Sequence, residues 1–163
     1  MECQPSGDMF RGTYEHSIDE KGRINIPKPF RDLLEQDSQL FITTSFIKDI
    51  NCLDVYRPKD WYRLEENLIG KPEFDPDVTD FINYFYSGVQ ECQLDRQGRI
   101  LLAPSLRDHA KLIKDVALVG TGRKFRIIEK DTWVAVRAAS GEALKSNPRI
   151  MQDLKIGAQS PED

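Results

Sequence analysis

Apolar and polar residues alternate along two stretches of the chain that a short polar segment separates. The stretches are residues 14–18 and 24–26, and the segment between them is 19–23. A period of two is typical of a strand that buries one face. Within the segment, the side chain of Asp19 can bond backbone amides and Gly22 can adopt a positive φ without steric cost. The pattern therefore predicts two strands joined by a tight turn.

The same periodicities predict mostly strands, with a few short helices between them. The further predicted strands are 40–44, 53–56, 91–94, 100–102, 116–119 and 125–128. Short helices are predicted at 27–34 and 105–110. One further helix is expected to be N-capped by Asp60 and to have Trp61, Leu64 and Leu68 on one face, and another to be capped by Asp75 with Pro76 at its first position. The last two predicted helices are one that begins at Thr132 and a short one that begins at Asn147-Pro148. This element content predicts an α+β fold that is mainly β.

The chain repeats itself at an offset of 76 residues. Residues 14–33 and 90–109 share seven identical positions among 20, which are Glu15/Glu91, Asp19/Asp95, Gly22/Gly98, Arg23/Arg99, Ile24/Ile100, Arg31/Arg107 and Asp32/Asp108. Chance matching between unrelated segments gives roughly one identity in 15–20 positions. The repeat therefore predicts two pseudo-symmetric copies of one unit.

The repeat also suggests an organisation for the whole chain. We expect residues 1–8 to be a disordered extension or an expression remnant, 9–70 the first repeat and 71–88 a linker with a helix. The second repeat is then 89–140, and 141–163 is a C-terminal helix with a frayed tail. The aromatic residues of the linker helix favour packing of the two halves together over a stacking platform for bases. Trp61 and Trp133 have apolar neighbours at helical spacing, which predicts core positions for both.

The repeated motif D-x-x-G-R has two kinds of residue with different explanations. Turn chemistry accounts for Asp19, Gly22, Asp95 and Gly98, which we expect to form the turns. A turn does not require the arginines at positions 23 and 99. Arginine suits base edges and phosphates because its planar fork donates two parallel hydrogen bonds. The other explanation is an ion pair within the motif, to Asp19 or Glu15, and the residue types leave both open.

Charge excludes one class of nucleic-acid binder. Lys and Arg number 23 and Asp and Glu 27, a net charge of −4, so the chain is not a uniformly basic, histone-like protein. The charge is unevenly distributed: residues 89–137 have ten basic and six acidic groups, a local net of +4. A specific binder with a local basic patch remains compatible with this sequence.

Candidate chemistry other than binding is weakly supported. Three widely spaced cysteines and two histidines form no zinc or disulfide pattern, and no run of about 20 apolar residues predicts a membrane helix. His16 is expected to be a core or half-buried residue. Asp19 and Asp95 could form an acid dyad, but a nearby arginine would keep both ionised. We expect no enzyme activity, no cofactor and no small-molecule substrate.

The motifs together resemble the MraZ family of bacterial proteins. The resemblance rests on Met9-Phe10-Arg11-Gly12, Ser17-Ile18-Asp19-Glu20-Lys21-Gly22-Arg23-Ile24, Ile26-Pro27 and Leu94-Asp95-Arg96-Gln97-Gly98-Arg99-Ile100, and it covers about residues 9–150. It implies two tandem AbrB-like swapped-hairpin repeats that form one pseudo-two-fold barrel. It also implies a cytoplasmic, nucleoid-associated transcriptional regulator, expected to be a repressor. Its partners would be repeated boxes of double-stranded DNA upstream of its own division and cell-wall operon, and itself as a homo-oligomeric ring.

By position, the resemblance makes Lys21, Arg23 and Arg99 the expected DNA contacts, with Arg96 as their neighbour. Gln97 stands where the first copy has Lys21, so the two repeats are expected to contribute unequally. A ring would place many such cationic tips along one DNA path, and avidity would then raise a weak single-site affinity. The alternative function, from another class, is a self-assembling ring protein whose main partner is another protein.

Overall fold

The computed structural model describes residues 8–34 and 39–156. Eight strands and six α-helices alternate along these residues. The strands are β1 (Thr13–Ser17), β2 (Arg23–Asn25), β3 (Gln39–Ile47), β4 (Ile50–Tyr56), β5 (Gln90–Gln93), β6 (Arg99–Leu101), β7 (Asp115–Gly120) and β8 (Lys124–Glu129). The helices are α1 (Lys28–Arg31), α2 (Pro58–Ile69), α3 (Pro76–Phe81), α4 (Pro104–His109), α5 (Lys130–Ser146) and α6 (Arg149–Asp153), and a π-helical turn at Ile82–Tyr86 follows α3. The predicted mainly β, α+β class is confirmed.

Six of the strands form one antiparallel sheet in the order β1-β7-β8-β4-β3-β5. The first strand of each repeat pairs with a strand of the other repeat, β1 with β7 and β5 with β3. Strands β4 and β8 join the two halves at the centre of the sheet. Within the described residues the sheet remains open, with β1 and β5 at its edges, so no closed barrel is found.

The remaining strands, β2 and β6, form a separate antiparallel ribbon of two strands. Ile24 and Ile100 are directly opposite each other in this ribbon, and both are completely buried. They join a hydrophobic core with residues of both repeats, in which the rings of Phe10, Phe30 and Phe125 lie with their centroids 5.0–5.2 Å apart. Because both repeats supply this core, the ribbon is fixed relative to the large sheet.

Two helix predictions need correction. Helix α2 begins at Pro58 after the N-cap Arg57, so the prediction that Asp60 caps it is wrong. Proline at the first helical position has the φ that a helix needs. Asp60 lies instead within the first turn, where its Oδ2 accepts a hydrogen bond of 2.8 Å from Nε of the buried Arg57. Helix α1 ends at Arg31, three residues before the predicted end at Leu34.

The linker helix begins as predicted and then changes type. Asp75 caps α3 by accepting a hydrogen bond of 2.9 Å from the Asp77 N–H. The segment Ile82–Tyr86 is wound as a π-helix. Its aromatic rings Phe85 and Tyr86 lie 6.1 and 5.9 Å from the buried ring of Trp61, which confirms the predicted core position of that tryptophan.

Helices α5 and α6 follow β8 in the chain, and the described residues from 131 to 156 form a second compact unit. The predicted helix from Thr132 lies within α5, and the predicted short helix is α6, with Pro148 as its N-cap. No helix in the described part of the chain has the length and apolarity needed to cross a membrane. Of the predicted N-terminal extension, residues 1–7 lie outside the described residues, whereas Asp8 forms ion pairs with Arg57 and Lys59.

Candidate nucleic-acid interface

The first D-x-x-G-R turn is built around the carboxylate of Asp19. Its Oδ1 accepts hydrogen bonds of 2.9 Å from the backbone N–H groups of Lys21 and Arg23. The backbone closes the turn with a 3.0 Å bond from the Gly22 N–H to the Asp19 carbonyl. Gly22 has a φ of 86°, which a residue with a Cβ rarely adopts. The sequence-predicted turn roles of Asp19 and Gly22 thus correspond to specific contacts.

The second turn repeats this geometry almost atom for atom. Oδ1 of Asp95 accepts hydrogen bonds of 2.9 Å from the N–H groups of Gln97 and Arg99. The Gly98 N–H bonds to the Asp95 carbonyl at 3.0 Å, and the φ of Gly98 is 76°. The two copies of the sequence motif therefore form two turns with the same hydrogen bonds and the same glycine conformation.

The two turns meet through the β2–β6 ribbon. The register places Arg23 opposite Leu101 and Asn25 opposite Arg99, with the buried pair of isoleucines between them. Successive strand residues point to opposite faces, so these four residues share the face that points away from the core. Leu101 is 54% exposed, and the structure thus presents an accessible ribbon face with one arginine from each repeat.

Both arginines are held in place by the acid of their own turn. Nε of Arg23 donates to Oδ2 of Asp19 at 2.6 Å, and Nε of Arg99 donates to Oδ2 of Asp95 at 2.8 Å. The ion-pair explanation left open by the sequence is realised, and the partner is Asp19 rather than Glu15. A guanidinium has five N–H groups, so a bond through Nε leaves terminal N–H groups for another partner. Each arginine side chain is therefore held in one orientation, while part of the hydrogen-bonding capacity of its guanidinium group is left for a ligand.

The other predicted contacts surround these arginines. The side chains of Lys21 and Arg96 are exposed, one in each turn. Gln97, which replaces the lysine in the second repeat, is exposed as well. The turns thus combine four cations with the acids Asp19, Glu20 and Asp95, a local charge of +1 from residues 19–23 and 95–99.

The turn acids are held in the ionised form. The backbone N–H of Arg23 is the main reason that the pKa of Asp19 lies below its usual value, and the Arg23 side chain lowers the pKa further. The backbone N–H of Arg99 lowers the pKa of Asp95 in the same way. A proton-sharing dyad would need one raised pKa, so this arrangement favours binding chemistry over acid catalysis by the pair.

Two residues that the sequence analysis did not assign to the site lie against the turns. A Cβ built on Gly98 would lie 2.8 Å from Cδ of Arg31, and one built on Gly22 would lie 2.9 Å from Cζ of Arg107. Each arginine comes from the helix of one repeat and lies against the turn of the other. Their identity at offset 76 was the available signal, although it did not show which turn each would contact.

The described residues also contain two cysteines and a half-buried histidine, His16, whose pKa values are shifted. Within residues 8–34 and 39–156, no three His, Cys, Asp or Glu side chains form a group suited to a metal ion. Burial raises the pKa of the Cys52 thiol to about 11 and that of Cys92 to about 12, so both are poor nucleophiles. His16 is half-buried, as predicted, and burial lowers its pKa.

Comparison with known proteins gives one consistent result. A family model described as "MraZ protein, putative antitoxin-like" matches residues 9–83 and 85–152, one match for each half of the chain. Similar proteins are named "Transcriptional regulator MraZ". The one from Moorella thermoacetica is 42% identical over 148 residues, which are 91% of this chain and all of that protein. The one from Desulfitobacterium hafniense (strain DSM 10664 / DCB-2) is 38% identical over the same shares, and the one from Heliobacterium modesticaldum is 41% identical over 77% of this chain and 84% of its own.

Proposed function

The chain belongs to the MraZ family, and we propose that it is a transcriptional regulator that binds double-stranded DNA through the β2–β6 ribbon and its two turns. One observation carries the proposal: the ribbon places the partly exposed Arg23 and Arg99 on a single face while its opposite face is anchored in the core. A rigid two-stranded ribbon with outward arginines is an element of the kind that reads DNA.

We expect the β2–β6 ribbon to enter the major groove of B-DNA. That groove admits a two-stranded β-ribbon, and arginine is its commonest specific reader because it bonds two acceptors of guanine at once. The carboxylates of Asp19 and Asp95 bind the Nε side of each guanidinium. This direction of approach leaves the terminal N–H groups for base edges or phosphates, and it reduces the side-chain entropy that binding would otherwise cost.

The exposed side chains of Lys21 and Arg96 extend the cationic surface beyond the ribbon. We expect them to contact the phosphate backbone, which sets affinity and register without reading the sequence. Because the turns also contain three acids, one chain presents little net positive charge to DNA. Screening at physiological salt weakens the electrostatic attraction to the phosphates further. A homo-oligomeric ring would present several copies of the ribbon to repeated DNA boxes, so that avidity supplies the affinity.

The remaining elements of the proposal come from family membership. We infer repeats at 9–70 and 89–140, joined by 71–88 and followed by 141–163, with swapped hairpins that are exchanged between the two repeats. The pairing of β1 with β7 and of β5 with β3 supports the exchange between repeats. We expect the protein to be a cytoplasmic, nucleoid-associated repressor. Its expected site of action is the set of repeated boxes upstream of its own division and cell-wall operon.

The direct test measures binding to the DNA upstream of the chain's own operon by fluorescence anisotropy at several salt concentrations. The full chain should bind this DNA more tightly than a shuffled sequence, and the affinity should fall steeply as salt rises. Arg23→Ala and Arg99→Ala should each weaken binding by roughly tenfold or more, the loss of one good arginine contact. Lys145→Ala, an exposed cation of α5, is the matched control and should bind normally.

Equal binding by wild type and the Arg23→Ala/Arg99→Ala double variant would overturn the assignment of the ribbon. Light-scattering mass measured alongside tests the ring, because a monomeric mass at the concentrations used for binding would contradict it.

A second candidate, an assembly whose main partner is a protein, has some support from exposed apolar side chains such as Phe74 and Ile113, 95% and 88% exposed. Absence of binding to the upstream DNA at low salt would favour that candidate.

A further inference from the structure

We infer that Arg31 and Arg107 are positioning residues for the DNA-contacting turns, and that each of them positions the turn of the repeat to which it does not belong. This inference rests on the proposed DNA-binding function. It goes beyond it by assigning two residues outside the D-x-x-G-R motif to the site, with a crossed pattern that neither repeat reveals by itself.

The same pair of residue types meets at both turns, although different atoms of the two arginines make the approach. At Gly98 the nearest neighbours of a built Cβ are Nη1, Cδ and Cζ of Arg31, and the Nη1 contact would be a severe overlap. At Gly22 the neighbours are Cζ, Nε and Nη2 of Arg107, at 2.9, 3.0 and 3.2 Å. The glycines are needed for their positive φ, and a guanidinium group occupies the space beside each of them that a side chain would otherwise enter.

The arginines are held in these positions by packing rather than by hydrogen bonds through Nε. The Nε atoms of Arg31 and Arg107 are buried and have no hydrogen-bond partner among the described residues. A buried, unpaired N–H is unfavourable, so its occurrence at the same atom in both repeats calls for a compensating contact. The close approach of each guanidinium group to the glycine of the opposite turn is that contact, and it places a planar group against each turn.

The position of each contact links it to the DNA-contacting side chains. Gly22 and Gly98 immediately precede Arg23 and Arg99, and their carbonyl groups accept the bonds from Leu102 and Ile26 that extend the ribbon. A turn without its supporting arginine would have more freedom at the glycine, and this freedom would extend to the adjacent arginine. Loss of Arg31 should thus affect Arg99, and loss of Arg107 should affect Arg23.

Amide hydrogen exchange of the full chain without DNA tests the crossed contact directly. In Arg31→Ala, exchange should become at least several-fold faster at residues 97–99 and remain as in wild type at 21–23. Arg107→Ala should give the opposite pattern. Arg31→Lys should not restore protection, because a lysine keeps the charge but lacks the planar group. Faster exchange in the turn of the variant's own repeat, or in both turns equally, would overturn the inference.

A double-variant cycle for DNA affinity tests the functional part. Arg31→Ala should weaken binding by about fivefold to tenfold in wild type and in Arg23→Ala, but by less than about twofold in Arg99→Ala, since coupled residues are not additive. Arg107→Ala should couple to Arg23→Ala instead. Simple destabilisation, or direct phosphate contact by Arg31, would give equal losses in both backgrounds and would contradict the positioning role. If wild type itself fails to bind the upstream DNA, the proposed function fails, whereas the exchange result still stands or falls separately.

Discussion

Nη1 of Arg99 lies 3.9 Å from Oδ2 of Asp19, although the two residues belong to different repeats. The same Asp19 oxygen accepts the bond from Nε of Arg23 in its own turn. One carboxylate therefore faces an arginine from each repeat. The corresponding oxygen of Asp95 pairs with Arg99 of its own turn. The two turns therefore have the same internal geometry, but the Asp19 carboxylate pairs with arginines of both repeats and the Asp95 carboxylate with the arginine of its own turn.

This asymmetry predicts unequal effects of two matched substitutions. Asp19→Asn should lower the melting temperature more than Asp95→Asn, because it removes the charge that attracts arginines of both repeats. Asparagine retains an oxygen for the backbone N–H groups, so both variants should fold. Thermal unfolding followed by circular dichroism measures the difference. Equal losses, or a larger loss at position 95, would show that the contact between repeats has no energetic weight.

The lowered pKa of Asp19 and Asp95 predicts acid sensitivity. The backbone N–H groups of Arg23 and Arg99 are the main cause in each case. The folded pKa is below the unfolded value of about 3.9, so the unfolded chain takes up more protons in acid. The stabilisation by the turns is therefore present above about pH 4 and is lost as pH falls through the lowered pKa.

Melting temperatures of the wild type and of Asp19→Asn/Asp95→Asn between pH 7 and pH 3 check this sign. The double variant should be less stable than wild type at pH 7, and the difference should shrink toward pH 3. Asp8, whose pKa is lowered mainly by a hydrogen bond from Lys59, contributes equally to both proteins and so cancels from the comparison. A constant difference across the range would contradict the assignment.

A buried ion-pair group at the centre of the sheet should matter more than any surface pair. The Asp54 side chain is 1% exposed and pairs with Lys124 at 2.7 Å and with Arg126 at 3.2 Å. Asp54→Ala would leave two partly buried cations uncompensated and should cost about 3–5 kcal/mol of unfolding free energy. Lys28→Ala, which breaks the exposed pair with Asp32, should change it by less than about 0.5 kcal/mol. Chemical denaturation of both variants makes the comparison.

Two glycines should respond to alanine in opposite directions. A Cβ on Gly120 would overlap the backbone of Phe10 and Arg11, where β7 meets the chain before β1. Gly120→Ala should therefore disrupt that edge of the sheet and destabilise the fold. Gly141 lies within α5 with no atom near its would-be Cβ, so Gly141→Ala should stabilise that helix by about 0.5–1 kcal/mol. Amide exchange in β1 and in α5 reports each effect locally.

The difference between the turns at Lys21 and Gln97 predicts a gain of function. Gln97→Lys adds a cation at the position equivalent to Lys21, and it should increase DNA affinity and steepen the salt dependence by about one counterion per bound turn. Lys21→Gln should have the opposite effect. Both positions are exposed and use their backbone N–H, not their side chain, to build the turn, so folding should not change. DNA affinity measured for both variants at several salt concentrations tests this prediction. If the salt dependence of affinity does not change, these positions lie away from the phosphates.

Much of the candidate site could be predicted from the sequence because its contacts are local. Asp19 binds groups two and four residues along the chain, and the required Gly22 lies between them. Such a turn is formed within five residues, so the motif itself specifies it. The alternation around Ile24 likewise predicted which face of the ribbon would be buried. The N-cap at Asp60 was predicted wrongly because Pro58 takes the first helical position and the Asp60 carboxylate pairs with Arg57, three residues before it, instead of capping the helix.

The repeat, the two turns, and the mainly β, α+β class can all be derived from the sequence alone. How the repeats combine depends on contacts between them: β1 with β7, Arg31 against Gly98, and Arg107 against Gly22. These contacts could not be predicted because the chain contains two copies of the same unit. Two copies with the same turn and the same arginine are equally complementary to themselves and to each other, so no pattern within one copy distinguishes the pairings. That choice is made by the packing of both copies around one shared core.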